Sequence, residues 1–197
     1  MNPNEVTGFV LAGGRSSRMG EDKSLMKLNG KTLVEYSIEV LKTLCSQVIV
    51  SSNQLAYDFT GCQVWPDEGN KQAPIVGIYS CLKRSITDYN IILSCDMPLI
   101  RSELINFLLK CSGDHDIIVP VHENGMIEPL CGIYKKSAFI QLERSIMEGN
   151  LSLKECIHRS RHRLVNIVEL SSDSCNQFKN INTPADFKEI SSFLLST

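Results

Sequence analysis

The chain has 197 residues, 43% of them apolar, which suits one domain with a real core and is too apolar for a disordered chain. Lys and Arg number 20 against 22 Asp and Glu, so a general nucleic-acid or membrane surface is not expected, though a local basic loop is allowed. No apolar run approaches the ~20 residues of a membrane helix, and "MNPNEVTGF" lacks the basic and apolar regions of a signal peptide. Val6–Leu11 predicts a buried strand ending at Gly13-Gly14. Thr32–Cys45 carries Val34, Ile38, Leu41 and Cys45 at helical spacing, with Glu35, Glu39 and Lys42 between them. Strands follow over 47–52 and, more briefly, within 63–69 before Pro66. Pro74–Ile86 predicts a helix with Ile75, Ile78, Leu82 and Ile86 on one face. "NIILSCDMP" (Asn90–Pro98) predicts a central strand, and 102–111 a helix capped by Ser102. Strands over 116–121 and 128–134, helices over 137–148 and 151–159, and a strand over 163–170 come next. Gly149 stops the first of those helices. A last helix opens at Pro184 behind a Thr183 cap.

Strand and helix alternate throughout. The expected class is α/β: a three-layer α/β/α, Rossmann-like arrangement with a mostly parallel mixed sheet, in a single domain over 1–197. Eight cysteines lie at positions 45, 62, 81, 95, 111, 131, 156 and 175 without any CxxC pair. They read as reduced thiols of a cytoplasmic protein, packed like small hydrophobes rather than holding zinc.

The stretch "FVLAGGRSSRMGEDKSLMKLNGKTL" raises the functional question. In a parallel sheet, ligands bind beyond the carboxyl ends of the strands, and this glycine-rich, charged loop leaves such an end. Gly13 and Gly14 let backbone N–H groups approach a phosphate. Arg18 offers a fork and Lys23 a point charge to a polyphosphate. The alternative is a solvated basic turn. Neither GxxxxGK[ST] nor GxGxxG occurs, which disfavours a P-loop and a Rossmann oxidoreductase. In "ILSCDMPLI", Asp96 follows an apolar strand, where one carboxylate can hold Mg²⁺ with most of its waters kept; the alternative is a turn aspartate. Phosphate, metal and positioning together are what phosphoryl and nucleotidyl transfer require. No nucleophilic triad or His-based metal spacing stands out; His115 and His122 read as structural or surface residues. Glu128 before Pro129 is a substrate contact or a turn, and "HRSRHRL" (His158–Leu164) a phosphate or partner contact or a solvated helix end.

"LAGGRSSRMGEDKSLMKLNGKTLVEYSIEVL" resembles the start of the molybdenum cofactor guanylyltransferases, relatives of the sugar-nucleotide pyrophosphorylases. The resemblance continues through "PDEG", "APIVGI", "LSCDMPLI", "EPLCGIY" and "NINTPADF". It implies transfer of GMP from GTP to the terminal phosphate of molybdopterin, with release of pyrophosphate and no covalent enzyme intermediate. The N-terminal half would bind the nucleotide and the C-terminal half the acceptor. By the family pattern, Leu11, Ala12 and Gly13 lie against the nucleotide and Gly14 shapes the loop; Lys23 and Arg18 meet the triphosphate, and Asp96 holds Mg²⁺. Asp67 would accept from the guanine N1–H and 2-amino groups, with Gly77 of "APIVGI" beside the nucleotide. The family's asparagine after the second strand is replaced here by Ser51, with Asn53 two residues on, and Asn180 and Asn182 fall on the pterin side. Cytosine-specific relatives read LAAG where this chain has "LAGG", which favours GTP over CTP. Other expectations from the resemblance are a monomer, transient contacts with cofactor-insertion proteins or molybdoenzymes, and no nucleic-acid or membrane partner. Two rival readings stay open: cytidylyl transfer to the pterin or to a sugar or polyol phosphate, and a non-catalytic nucleotide or cofactor carrier.

Overall fold

The structure is a computed structural model, and it describes residues 5–12, 22–54, 56–69, 71–169 and 174–196. The first strand, β1 (Val6–Leu11), is buried along its whole length. Its side chains alternate between two cores, Val6 and Val10 on one face and Phe9 and Leu11 on the other. A small hairpin follows, β2 (Lys27–Leu28) and β3 (Lys31–Thr32). Its turn is Asn29-Gly30, with φ of 50° and 85°, the left-handed pair that a two-residue hairpin requires. Helix α1 (Leu33–Lys42) starts where the Glu35 carboxylate accepts from the Thr32 N–H and hydroxyl, bonds that hold the Glu35 carboxyl below its usual range.

Strand β4 (Gln47–Ser51), the short β5 (Gln63–Trp65), helix α2 (Pro74–Arg84) and strand β6 (Tyr89–Ser94) come next. They are followed by α3 (Ser102–Lys110), β7 (Ile117–Val121), β8 (Cys131–Lys135), α4 (Phe139–Met147), α5 (Leu153–His158) and β9 (His162–Asn166). A short α6 (Ser174–Gln177) and α7 (Pro184–Ser196) complete the described elements.

The sheet runs β5-β4-β1-β6-β8-β7-β9. Its pairings are parallel except where β8 meets β6 and β7, so β8 alone runs in reverse. Apolar faces of α1 and α3 cover one side through Val34, Ile38, Leu41, Leu104 and Leu108. Those of α2, α4 and α5 cover the other through Ile75, Ile78, Leu82, Leu142 and Ile157. This is the three-layer α/β/α arrangement expected. A satellite core of Leu28, Leu33, Leu99, Ile181 and Ile190 joins the hairpin to α7. No described helix is long and apolar enough to cross a membrane. All eight cysteines are free.

Three local expectations are corrected. Helix α2 stops at Arg84, so Ile86 is 92% exposed instead of lying on the apolar face. The Lys136 ammonium donates to the carbonyls of Leu82, Lys83 and Ser85 and closes the helix end from a distance. Strand β6 ends at Ser94 and does not run on to Pro98, while Asp96 follows the strand, as expected, in the turn beyond it. Ser102 is the first residue of α3 and not its cap; Arg101 holds the capping position.

Candidate functional site

The crossing from β5 over to β6, on the far side of β1, makes β1 the switch point of the sheet, where open α/β sheets bind ligands. Three backbone bonds knit that edge: Ala12 N–H to Ser51 O (3.0 Å), Ser52 N–H to Trp65 O (3.0 Å) and Cys95 N–H to Leu11 O (3.3 Å). Leu11 and Ala12 are buried at the end of β1. The predicted residues Gly13, Gly14 and Arg18 lie outside the described residues.

At the centre of the edge, the Lys23 ammonium donates to Asp96 Oδ2 at 3.1 Å and to Asn182 Oδ1 at 2.8 Å. The Lys23 and Asp96 side chains keep 15% and 26% of their exposure, so the pair is half-buried but reachable. Three segments meet there, one before the hairpin, one after β6 and one before α7. The third is fixed by the Ile181 N–H, which donates to the Asp96 carbonyl at 2.9 Å. It is fixed again by Asp186, whose carboxylate accepts from the Asn182 and Thr183 N–H groups while Thr183 Oγ1 accepts from the Asp186 N–H. Those bonds hold the Asp186 carboxyl below its usual range. Asn180 lies half-buried two residues upstream of Asn182. Beneath the pair, burial pushes the Cys95 thiol up to about 12, with the Asp96 and Asp22 carboxylates acting in the same direction and Lys23 against them.

A second cluster forms beyond β4 and β5. Ser51 Oγ donates to Asp67 Oδ1 at 3.2 Å, and the Asp67 N–H donates to Asn53 Oδ1 at 2.9 Å. Ser51 and Asn53 therefore meet at Asp67. Burial raises the Asp67 carboxyl above its usual range, opposed by the Ser51 bond and the nearby Arg84 charge. Gly77, in the first turns of α2, faces the same group: a Cβ there would sit 3.4 Å from Asp67 Oδ1, 3.7 Å from Ser51 Oγ and 3.8 Å from Leu11 Cδ2.

Beyond β7, His122 Nε2 lies 2.8 Å from Glu128 Oε1, and the His122 ring meets Phe178 edge-on at 5.3 Å. The two side chains read singly from the sequence thus form a pair beside the segment that carries Asn182. In the basic run, Arg161 makes a bidentate pair with Asp116, Arg159 pairs with Glu148, and Arg163 donates to the Cys111 carbonyl. Its arginines are engaged in structural bonds.

Sequence reading did not find Tyr57. Its hydroxyl donates to the Ala12 carbonyl at 2.8 Å and lies 3.0 Å from Asp22 Oδ2 and 2.7 Å from Ser24 Oγ. The residue sits in a turn, off any apolar repeat, so no periodic signal points to it.

A divalent cation can be tested against this donor set. Among the described residues, no group of three or more His, Cys, Asp or Glu could cage an ion. Asp96 offers one half-exposed carboxylate, engaged by Lys23 through Oδ2. That fits Mg²⁺ in the mode where one or two carboxylates and substrate phosphates hold a largely hydrated ion. Zinc, which takes three or four Cys, His or carboxylate ligands from the protein, does not fit this set of described residues.

Comparison with known proteins gives the chain its relatives. A family model for the MobA-like NTP transferase domain matches residues 8–164. A probable molybdenum cofactor guanylyltransferase of Carboxydothermus hydrogenoformans is 30% identical, with 94% of each chain covered. One from a Geobacillus strain is 32% identical, over 95% of this chain and 98% of the relative. The crystal structure of molybdopterin-guanine dinucleotide biosynthesis protein A from Archaeoglobus fulgidus superposes with a TM-score of 0.84 at 24% identity, over 97% of this chain and 100% of that one. That likeness carries the fold, and the sequence matches carry the kinship: this chain belongs to the MobA-like NTP transferase family and is a nucleotidyltransferase.

Proposed function

We propose that the protein transfers GMP from GTP to the terminal phosphate of molybdopterin, yielding the guanine dinucleotide form and pyrophosphate. The observation that carries the reading is the Lys23 ammonium between Asp96 and Asn182. One cation then reaches both the edge where a triphosphate would lie and the segment assigned to the acceptor. The curated relatives named as guanylyltransferases support the choice of donor and acceptor.

In the reaction, an oxygen of the acceptor phosphate forms a bond to the α-phosphorus of GTP. The bond from that phosphorus to the oxygen bridging to the β-phosphate breaks, and pyrophosphate leaves with the electron pair. Lys23 neutralises charge on the phosphates as the leaving group departs. Arg18, in the same family motif, is assigned the same task. Asp96 would hold Mg²⁺, which when bound supplies further neutralisation of the triphosphate. Asn180 and Asn182 orient the acceptor, and in-line alignment of the two substrates provides much of the rate.

Asp67 reads the base. The guanine N1–H and 2-amino groups are both donors, and a carboxylate has only acceptors to offer. Ser51 and Asn53 act through Asp67, one occupying Oδ1 and the other fixing its backbone. Gly77 leaves the space beside it open. Pyrophosphate release by the purified protein with Mg²⁺ and molybdopterin, compared across GTP, CTP, ATP and UTP, tests the reading. Release with GTP that is lost in Asp96→Asn and Lys23→Ala supports it. Release with CTP alone overturns the base assignment, and tight GTP binding without release points to a carrier.

A further inference from the structure

We propose that Tyr57 is the positioning residue for Lys23, tying the turn that carries that cation to the end of β1 through the neighbouring Ser24. The inference rests on the reading of Lys23 as the cation that meets the triphosphate.

The geometry is unusually closed. Tyr57 is fully buried. Its hydroxyl reaches Asp22 Oδ2 at 3.0 Å and Ser24 Oγ at 2.7 Å, and Asp22 and Ser24 flank Lys23 in the chain. The two flanking residues are themselves linked, the Ser24 N–H donating to Asp22 Oδ1 at 3.0 Å, and the Ser24 hydroxyl donates to the Tyr57 oxygen. The same Tyr57 hydroxyl donates to the Ala12 carbonyl at 2.8 Å, so one oxygen ties the residue after β1 to the turn that carries the ammonium. Burial pushes the Tyr57 hydroxyl up to about 12, so it keeps its proton at neutral pH.

The arrangement solves a specific problem. A lysine side chain has four flexible carbons and loses much rotamer freedom when fixed. Asp96 and Asn182 hold its far end; Tyr57 holds the backbone at its root through Ser24, whose N–H in turn holds Asp22. With both ends fixed, Lys23 is preorganised for a phosphate oxygen rather than drawn to it after binding. Ala12 shares the anchor, so the root of Lys23 and the end of β1 keep one spacing.

The test uses the full chain with Tyr57→Phe, which keeps the ring and removes the one oxygen. Reductive methylation with formaldehyde, followed by peptide mass spectrometry, reads the accessibility of each ammonium without any substrate. Lys23 should be modified several-fold faster in the variant, with Lys136 and Lys31 unchanged. Equal rates at Lys23, or a rise at every lysine, overturn the proposal, the latter marking a general loosening of the fold. In steady-state assays, kcat/KM for GTP should fall about tenfold in Tyr57→Phe, and the same change should add nothing in a Lys23→Ala background. A full additional loss there would show that Tyr57 acts elsewhere and overturns the proposal. If the unmutated protein turns over no nucleotide, the functional reading fails, and the methylation experiment still decides the anchor. Should Tyr57→Phe not fold, Ser24→Ala, which removes one arm of the anchor, takes its place with the same readouts.

Discussion

The Lys23 ammonium and the Asn182 side-chain carbonyl, separated by 159 positions in the chain, meet at 2.8 Å. That contact brings the charged turn before the hairpin onto the segment before α7, across the carboxyl edge of β6. It makes the two ends of the described chain parts of one site.

Removing the cation should therefore cost turnover more than stability. Lys23→Ala is expected to lower kcat for pyrophosphate release about hundredfold or more. The Tm should move little, because Asp96 keeps a quarter of its exposure and can be rehydrated. Stopped-assay kinetics beside a thermal melt check both halves of the statement.

Asp96→Asn keeps the shape of the side chain and removes its charge. Turnover should drop about hundredfold while the Kd for GTP in the absence of metal changes by less than about threefold. Equilibrium binding measured with and without Mg²⁺ should show the metal dependence of the unmutated protein disappearing in the variant.

Asp67 carries a prediction in pH. Its folded carboxyl lies above its ordinary range because of burial, so the fold disfavours the ionised form, and that cost is relieved as pH falls through the raised value. Asp67→Asn removes the cost and should leave the Tm at neutral pH equal or higher. It also exchanges an acceptor for an amide donor, so the preference for GTP over other nucleotides should collapse. In the unmutated protein, GTP affinity should begin to fall on acidification earlier than for an ordinary aspartate.

Gly77→Ala separates folding from binding. The added methyl would meet Asp67 Oδ1 at 3.4 Å, an ordinary contact, and alanine is favoured over glycine in a helix by about 1 kcal/mol. The variant should be at least as stable as the parent, with the KM for GTP raised about tenfold because the methyl occupies the base-reading corner.

Asp186→Ala should loosen the start of α7 and raise the KM for the acceptor rather than for GTP. The folded Asp186 carboxyl is depressed by the N–H groups of Asn182 and Thr183. Its stabilisation is therefore full above the ordinary aspartate value and is lost as pH falls through the folded one. Melting curves of parent and variant should differ at neutral pH and converge in acid.

The elements of this protein were legible because their patterns are clean: β1, β4 and β6 carry the apolar runs Phe9–Leu11, Val48–Val50 and Ile91–Leu93, and α1 shows its face through Val34, Ile38 and Leu41. The reversal of β8 was not, since pairing direction leaves no trace in a five-residue strand. Ile86 misled because Lys136, far along the chain, closes α2 two residues earlier. The β2–β3 hairpin was passed over although Asn29-Gly30 announces it. In the candidate site, Lys23 and Asp96 stood out as charged residues beyond strand ends, while Asp67 and Asn182 were singled out only by the family resemblance. What could not be read was that Ser51 and Asn53 converge on Asp67, or that a tyrosine in a turn lies beneath the turn carrying Lys23. Those are three-dimensional coincidences of single atoms.

The bond from the Ile181 N–H to the Asp96 carbonyl has a consequence for how the protein comes to be active. The seven-stranded sheet is complete by Asn166, and the segment holding Asn182 docks onto it through a small separate core of Leu28, Leu33, Leu99, Ile181 and Ile190. Such a patch can open while the sheet stays intact. During synthesis, a chain that has emerged only through β9 would hold Lys23 and Asp96 and lack Asn182, the residue proposed to orient the acceptor. Competence would arrive last, with the docking of α7, and amide exchange across residues 181–190 would report it before any change in the strands.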